Sequence, residues 1–109
     1  MTVEKLKQEL GLTEFYVADA ERQVTGVYMG DLLSWVMGRA QADQVWVTIM
    51  SNQNVAAVAA LSDVSCVLLC ESVQPDEDLL KKARGQGINL LGTEKSAYDA
   101  ATALYQVLA

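Results

Sequence analysis

Three short apolar runs, Val45–Ile49, Cys66–Cys70 and Ile88–Leu91, begin about every 21 residues, and each passes through polar residues into a helix-like segment. A run with apolar residues on both faces, such as Val45–Ile49, suits an interior strand covered by helices on each side. Strand-then-helix alternation is the signature of parallel pairing. The pattern therefore predicts an α/β fold, a single domain with a mainly parallel sheet covered by helices on both faces.

The remaining elements follow from caps and periodicity. Thr2 is placed to cap a first helix whose Val3, Leu6 and Leu10 share one face, with Gly11 as its stop. Phe15-Tyr16-Val17 and Val24–Met29 read as strands. Gly30-Asp31 offers a cap for a helix from Leu32 to about Met37, closed by Gly38. Its buried stripe would be Leu32, Val36 and either Leu33 or Trp35. Val55–Leu61 reads as a helix built almost wholly of Val and Ala, suited to lying close against a sheet or a second subunit. Asp76-Glu77-Asp78 opens the next helix, with Lys81, Lys82 and Arg84 in its last turn and Gly85 and Gly87 releasing the chain. Ser96-Ala97-Tyr98-Asp99 has the form of a capping box, with Ala100, Leu104, Val107 and Leu108 of the last helix inward.

In such a sheet ligands bind beyond the carboxyl ends of the strands, where helix N-termini present free N–H groups. Three polar clusters fall there: Ser51-Asn52-Gln53-Asn54, Glu71-Ser72 and Gly92-Thr93-Glu94-Lys95-Ser96. Asn and Gln side chains both donate and accept, and Glu71 can accept from a ligand amine or hydroxyl. The candidate ligand residues are Ser51, Asn52, Gln53, Asn54, Glu71, Ser72, Thr93 and Ser96. Each is also a residue type that caps helices and fills loops in any α/β protein.

Composition narrows the chemistry. With 109 residues the chain makes one small domain. Its net charge of −6 disfavours nucleic acid, whose binding needs clustered Lys and Arg. The Lys81-Lys82-Arg84 cluster is accounted for by the dipole at a helix C-terminus. No run approaches the roughly 18 to 20 apolar residues that cross a bilayer, and the N-terminus lacks a signal-peptide pattern, so a soluble cytoplasmic protein is expected. The chain has no histidine, which removes Ser–His–Asp and Cys–His catalysis. Cys66 and Cys70, four apart in a strand, would face the same side about 13 Å apart. A disulfide needs Cα atoms within about 7 Å, so both are expected as buried small hydrophobes. Zinc and phosphate-loop motifs are missing, and Asp76-Glu77-Asp78 is explained by its place in a first helical turn. No cofactor is expected.

The order and spacing of several pieces resemble the DRTGG domain family, over roughly Val24 to Ala109. They are Val24–Met37 leading into a helix, Trp46-Val47-Thr48 before the first polar loop, and Asn54–Ala59 after it. Pro75-Asp76 opens the next helix, and Thr93–Ala100 lies near the end. The name-giving residues differ. Where the family pattern has Asp-Arg, this chain has Ser51-Asn52, and where it has Thr-Gly-Gly, this chain has Cys70-Glu71-Ser72. An Arg able to clamp an anion and two glycines that admit close backbone approach are thereby replaced.

The resemblance implies a regulatory or oligomerisation module spanning residues 1–109, without catalytic activity of its own. A homodimer is expected, because Ala- and Val-rich helices, two Trp and four Met must all be covered by a small domain. The alternative is a sensor for a small anionic or nucleotide-like ligand at the strand-end loops. An enzyme would have to rely on Glu71 or Asp99, neither of which has a suitable partner.

Overall fold

The three apolar runs form the three inner strands of a five-stranded sheet, where both faces are covered. The computed structural model describes residues 1–109. Its elements are α1 (Val3–Leu10), β1 (Thr13–Tyr16), β2 (Gly26–Met29), α2 (Leu33–Arg39), β3 (Gln44–Thr48), α3 (Asn54–Ser62), β4 (Cys66–Leu69), α4 (Glu77–Gln86), β5 (Leu90–Gly92) and α5 (Ala97–Leu108). The strand order is β1-β5-β4-β3-β2, with β2 to β5 parallel and β1 antiparallel against β5.

The parallel strands succeed one another in one direction across the sheet, without reversal. Crossovers of one hand then put α2, α3 and α4 on the same face. There Trp46, Val67, Leu69 and Leu90 pack with Val36 of α2, Val55, Ala56 and Ala59 of α3, and Leu79 and Ala83 of α4. The opposite face is covered by the outer elements of the chain. Val45, Val47, Cys66, Leu68 and Leu91 pack there with Val3 and Leu6 of α1 and Ala100 and Leu104 of α5. Helices on both faces were expected; the way they are divided follows from strand order.

Several local expectations change. Leu32 is the N-cap of α2, without a side-chain cap bond. Asp31, expected to cap this helix, instead accepts from the Thr48 hydroxyl at 2.7 Å and the Ile49 N–H at 3.0 Å. It thereby ties the exit of β2 to the end of β3. The buried stripe of α2 is Val36 with half-buried Leu33, whereas Leu32 and Trp35 are exposed. The Arg39 guanidinium lies 3.7 Å from the centre of the Trp35 ring and covers part of it. Gly38 lies inside α2 rather than closing it.

α4 runs on to Gln86, so Lys81 and Lys82 sit in its middle and only Arg84 in its last turn. Gly85 is helical, and the stop is Gly87 at φ 70°, a left-handed conformation that glycine adopts without a Cβ penalty. Asp76 precedes α4 without capping it through its side chain. Thr2 and Ser96 are side-chain caps as expected, accepting from the N–H groups of Lys5 and Asp99. In α5, Ala100 and Leu104 are buried, and Val107 and Leu108 half-buried.

At the amino ends of the strands a polar clamp binds the connection after β1 to the sheet. Asn89, one residue before β5, is buried and uses its whole amide. Its Oδ1 accepts from the N–H groups of Ala18 and Asp19, and its Nδ2 donates to the carbonyls of Asp19 and Ser65. Arg22 ion-pairs with Asp43 and Asp63, each at 2.9 Å. Burial disfavours the guanidinium charge, but hydrogen bonds to the two carboxylates outweigh it and raise the Arg22 pKa. Both aspartates hold left-handed backbone, a conformation Asp tolerates better than most residues.

Candidate functional site

Loops 49–53, 70–76 and 93–96 leave the carboxyl ends of β3, β4 and β5. The side on which the next helix lies decides which of them can border a crevice. α3 and α4 share a face, so the loops after β3 and β4 turn the same way. α5 lies on the other face, so the chains leaving β4 and β5 part. Adjacent strands whose outgoing connections go to opposite faces open a crevice between them. A cavity of about 160 Å³ lies there, with Thr13 and Phe15 of β1 on one side and Ser72, Gln74, Thr93 and Glu94 on the other.

Of the eight candidate residues, Ser72 and Thr93 line this cavity. Glu71 shares the turn with Ser72 and is exposed. The Ser96 hydroxyl is committed to the Asp99 N–H at 3.1 Å as the cap of α5. Ser51, Asn52, Gln53 and Asn54 form a separate group. The Ser51 hydroxyl donates to Asp76 at 3.2 Å, its carbonyl accepts from the Asp76 N–H, and Asn52 Oδ1 accepts from the Asn54 N–H. Gln53 is the N-cap of α3 without a side-chain bond, and Asn54 is exposed. The structure thus brings together the residues of the second and third clusters and sets the first one apart.

The turn at Cys70–Val73 gives the crevice its character. The Val73 N–H donates to the Cys70 carbonyl at 3.1 Å, and Glu71 and Ser72 both have φ near 60°. That combination is a type I′ turn, which favours glycine, asparagine or aspartate at both central positions. The Glu71 N–H donates to the Lys95 carbonyl at 2.8 Å and the Ser72 N–H to the Thr93 carbonyl at 3.0 Å. Two backbone donors that could have cradled an anion are therefore spent on stitching the loops together. The Thr93 hydroxyl accepts from the Lys95 N–H at 3.2 Å, and its own proton remains free to donate into the cavity.

Left-handed backbone at a non-glycine residue costs roughly 1–2 kcal/mol, part of which glycine returns through its greater freedom in the unfolded chain. The double change Glu71→Gly, Ser72→Gly should stabilise the fold by about 1–2 kcal/mol and raise the melting temperature by roughly 5–10 °C. Thermal unfolding followed by circular dichroism checks this. A lowered melting temperature would mean that the two side chains contribute more than the turn costs.

The cysteines are buried on one face and unpaired, as expected. Burial pushes the Cys66 thiol up to about 12 and also raises that of Cys70, so both are protonated and poor nucleophiles near neutral pH. No three Cys, Asp or Glu side chains converge as metal ligands. Asp31, Arg22 and Asn89 carry structural bonds that sequence reasoning missed. Asn89 had a signal, a lone amide inside the apolar run Ile88–Leu91. Asp31 had none, since a carboxylate after a strand looks the same whether it caps a helix or ties two strand ends.

Comparison with known proteins agrees with this architecture. A solved structure of similar fold is that of the CBS and DRTGG domains of the regulatory region of Clostridium perfringens pyrophosphatase, complexed with its activator diadenosine tetraphosphate. The TM-score is 0.70 at 9% identity, and the alignment covers 98% of this chain and 46% of that one. The likeness is therefore one of fold, and this chain spans a little under half of its neighbour's length. The search of curated proteins finds no match to the sequence. Residues 15–107 match the model of the DRTGG domain, starting in β1, earlier than the Val24 at which the resemblance in the sequence begins. The chain belongs to the DRTGG domain family.

Proposed function

We propose that residues 1–109 work as one non-catalytic regulatory module of the DRTGG type, that the chain assembles as a homodimer, and that it takes a small anionic or nucleotide-like ligand in the β4–β5 crevice. The observation that carries the ligand reading is the parting of the β4 and β5 connections to opposite faces. A molecule lodged between them touches the arm leading to α4 and the arm leading to α5, so its binding biases both layers of the fold. A cavity of about 160 Å³ receives one phosphate- or ribose-sized group, since sites for whole drug-sized ligands run to roughly 300–1,000 Å³. The Thr93 hydroxyl and the Gln74 amide supply donors, and the Phe15 ring offers a flat wall.

The pyrophosphatase regulatory region, complexed with a dinucleotide activator, supports a regulatory reading by similarity of fold. A chain without histidine and with both thiols buried and protonated supports the non-catalytic one. Val3 and Leu6 are fully buried, which supports counting α1 within the unit although the family match begins after it. No helix is long and apolar enough to cross a membrane, and a cytoplasmic location fits the two free thiols.

Thermal-shift measurements with ATP, diadenosine tetraphosphate and inorganic phosphate test the ligand reading. A ligand at about a hundred times its Kd adds about 2.7 kcal/mol, a rise in melting temperature of roughly 10–20 °C. Thr93→Val should remove that rise and Asn52→Ala should keep it. The opposite result would move the site to the loop before α3, and a flat response to all three compounds would leave assembly as the role.

A further inference from the structure

Well away from the crevice, the outer side of α5 carries Ala97, Ala101, Tyr105 and Leu108 in one stripe, with Tyr98 beside it. The stripe lies next to β2, an edge strand. Two adjoining hollows of about 340 and 540 Å³ share Ala101 and Tyr105, and Met29 of β2 borders the second. Tyr98 and Tyr105 are 78% and 75% exposed, and Met29 50%. Apolar groups of this size gathered on one face mark an interaction surface.

We propose that the α5–β2 face is where a second copy of this chain docks, about a twofold axis. The inference rests on the homodimer in the proposed function and gives it a surface. Charge argues for a second copy. The chain carries −6 overall, yet α5 has one charged residue, Asp99, and β2 has none. Two like-charged molecules meet most easily across the face that carries least charge, whereas a strongly charged partner finds no complement there.

Shape agrees. A twofold interface needs the same patch to offer both a knob and a hole. Here the tyrosines project beside hollows floored by small residues, so Tyr105 of one copy can seat over Ala101 of the other. The two sheet edges also differ. β1 carries Glu14 and an irregular register between Glu14 and Tyr16, devices that blunt an edge. Gly26-Val27-Tyr28-Met29 has no charge and no proline, and it pairs with a strand on one side only. The area is sufficient. Buried aromatic side chains account for about 150–250 Å² each, so two tyrosines three-quarters exposed, with Met29 and Leu108, supply roughly 500 Å² per copy. Twice that reaches the ~1,000 Å² that a specific interface needs.

Light scattering on the size-exclusion peak of the full chain tests the proposal. At micromolar concentration the mass should be about twice the 11.8 kDa of one chain. Tyr105→Arg and Met29→Lys, both at exposed positions, should halve that mass with unchanged far-ultraviolet circular dichroism. Trp35→Glu and Leu61→Glu, on other exposed apolar positions, should leave it doubled. A single-chain mass for the unaltered protein overturns the proposal. So does a dimer that survives Tyr105→Arg and Met29→Lys, or one lost on Trp35→Glu or Leu61→Glu. The ligand-induced thermal shift is read separately, so failure of either reading can be told from failure of the other.

Discussion

Asn89→Ala should destabilise the protein by about 3 kcal/mol and lower its melting temperature by roughly 12–24 °C. The side chain is only 4% exposed and makes four hydrogen bonds of 2.8–2.9 Å, all that a primary amide readily offers at short range. Alanine would take the side-chain partner from the Ala18 and Asp19 N–H groups and from the Ser65 carbonyl, while the Asp19 carbonyl keeps the Arg22 N–H at 3.4 Å. A buried polar group left without a partner costs about 1–3 kcal/mol. The loss is less than the sum of three such terms, because Ala18 and Asp19 lie near solvent and only Ser65 is fully enclosed. Asn89→Asp keeps the acceptor and loses both donations, so it should do no better. Urea unfolding reads the effect directly. A change under 1 kcal/mol would mean that water entering the neighbouring cavity of about 150 Å³ replaces the amide, and that the clamp is weak.

Trp46→Ala should cost about 3–5 kcal/mol, a large share of the roughly 5–15 kcal/mol that holds an ordinary domain together. Trp46 is fully buried on β3 within the cluster formed with α2, α3 and α4. Its Nε1–H donates to the Gly30 carbonyl at 2.9 Å, which fixes the chain where it leaves β2. Trp46→Phe keeps much of the apolar contact and loses that bond, so it should cost less, about 1–3 kcal/mol. Unfolding curves for the two variants separate packing from hydrogen bonding. Equal losses would show that the indole donation to Gly30 dominates, and a negligible loss for alanine would contradict the burial of Trp46.

The parts of the fold legible in the chain were those set by neighbours in sequence. Val45–Ile49 and Cys66–Cys70 carry apolar residues on both faces, and only an inner strand buries both of its faces. Val3 and Leu6, three apart after Thr2, define an amphipathic helix with its cap. Errors gathered where two local readings were equally good. Asp31 suits a helix cap and a cross-strand acceptor alike, and Thr48, which decides between them, lies 17 residues away. Leu32 and Trp35 have apolar side chains, yet α2 turns them outward because Val36 and Leu33 take the contact with the sheet.

Strand periodicity and loop chemistry are local properties, so the elements, the mainly parallel sheet and the polar edge beyond its strands could be read from residue order alone. Strand order and the face taken by each helix are not local. They depend on contacts between residues far apart in the chain, among them the placement of α1 and α5 on the face opposite the three crossover helices. That placement alone parts the connections after β4 and β5, and so brings Ser72 and Thr93 to one crevice, while Ser51 bonds to Asp76 at the start of α4. It also leaves the uncharged face of α5 beside an unprotected edge strand. One local sequence carries the chemistry of each loop; which loops meet is decided by the packing of distant helices.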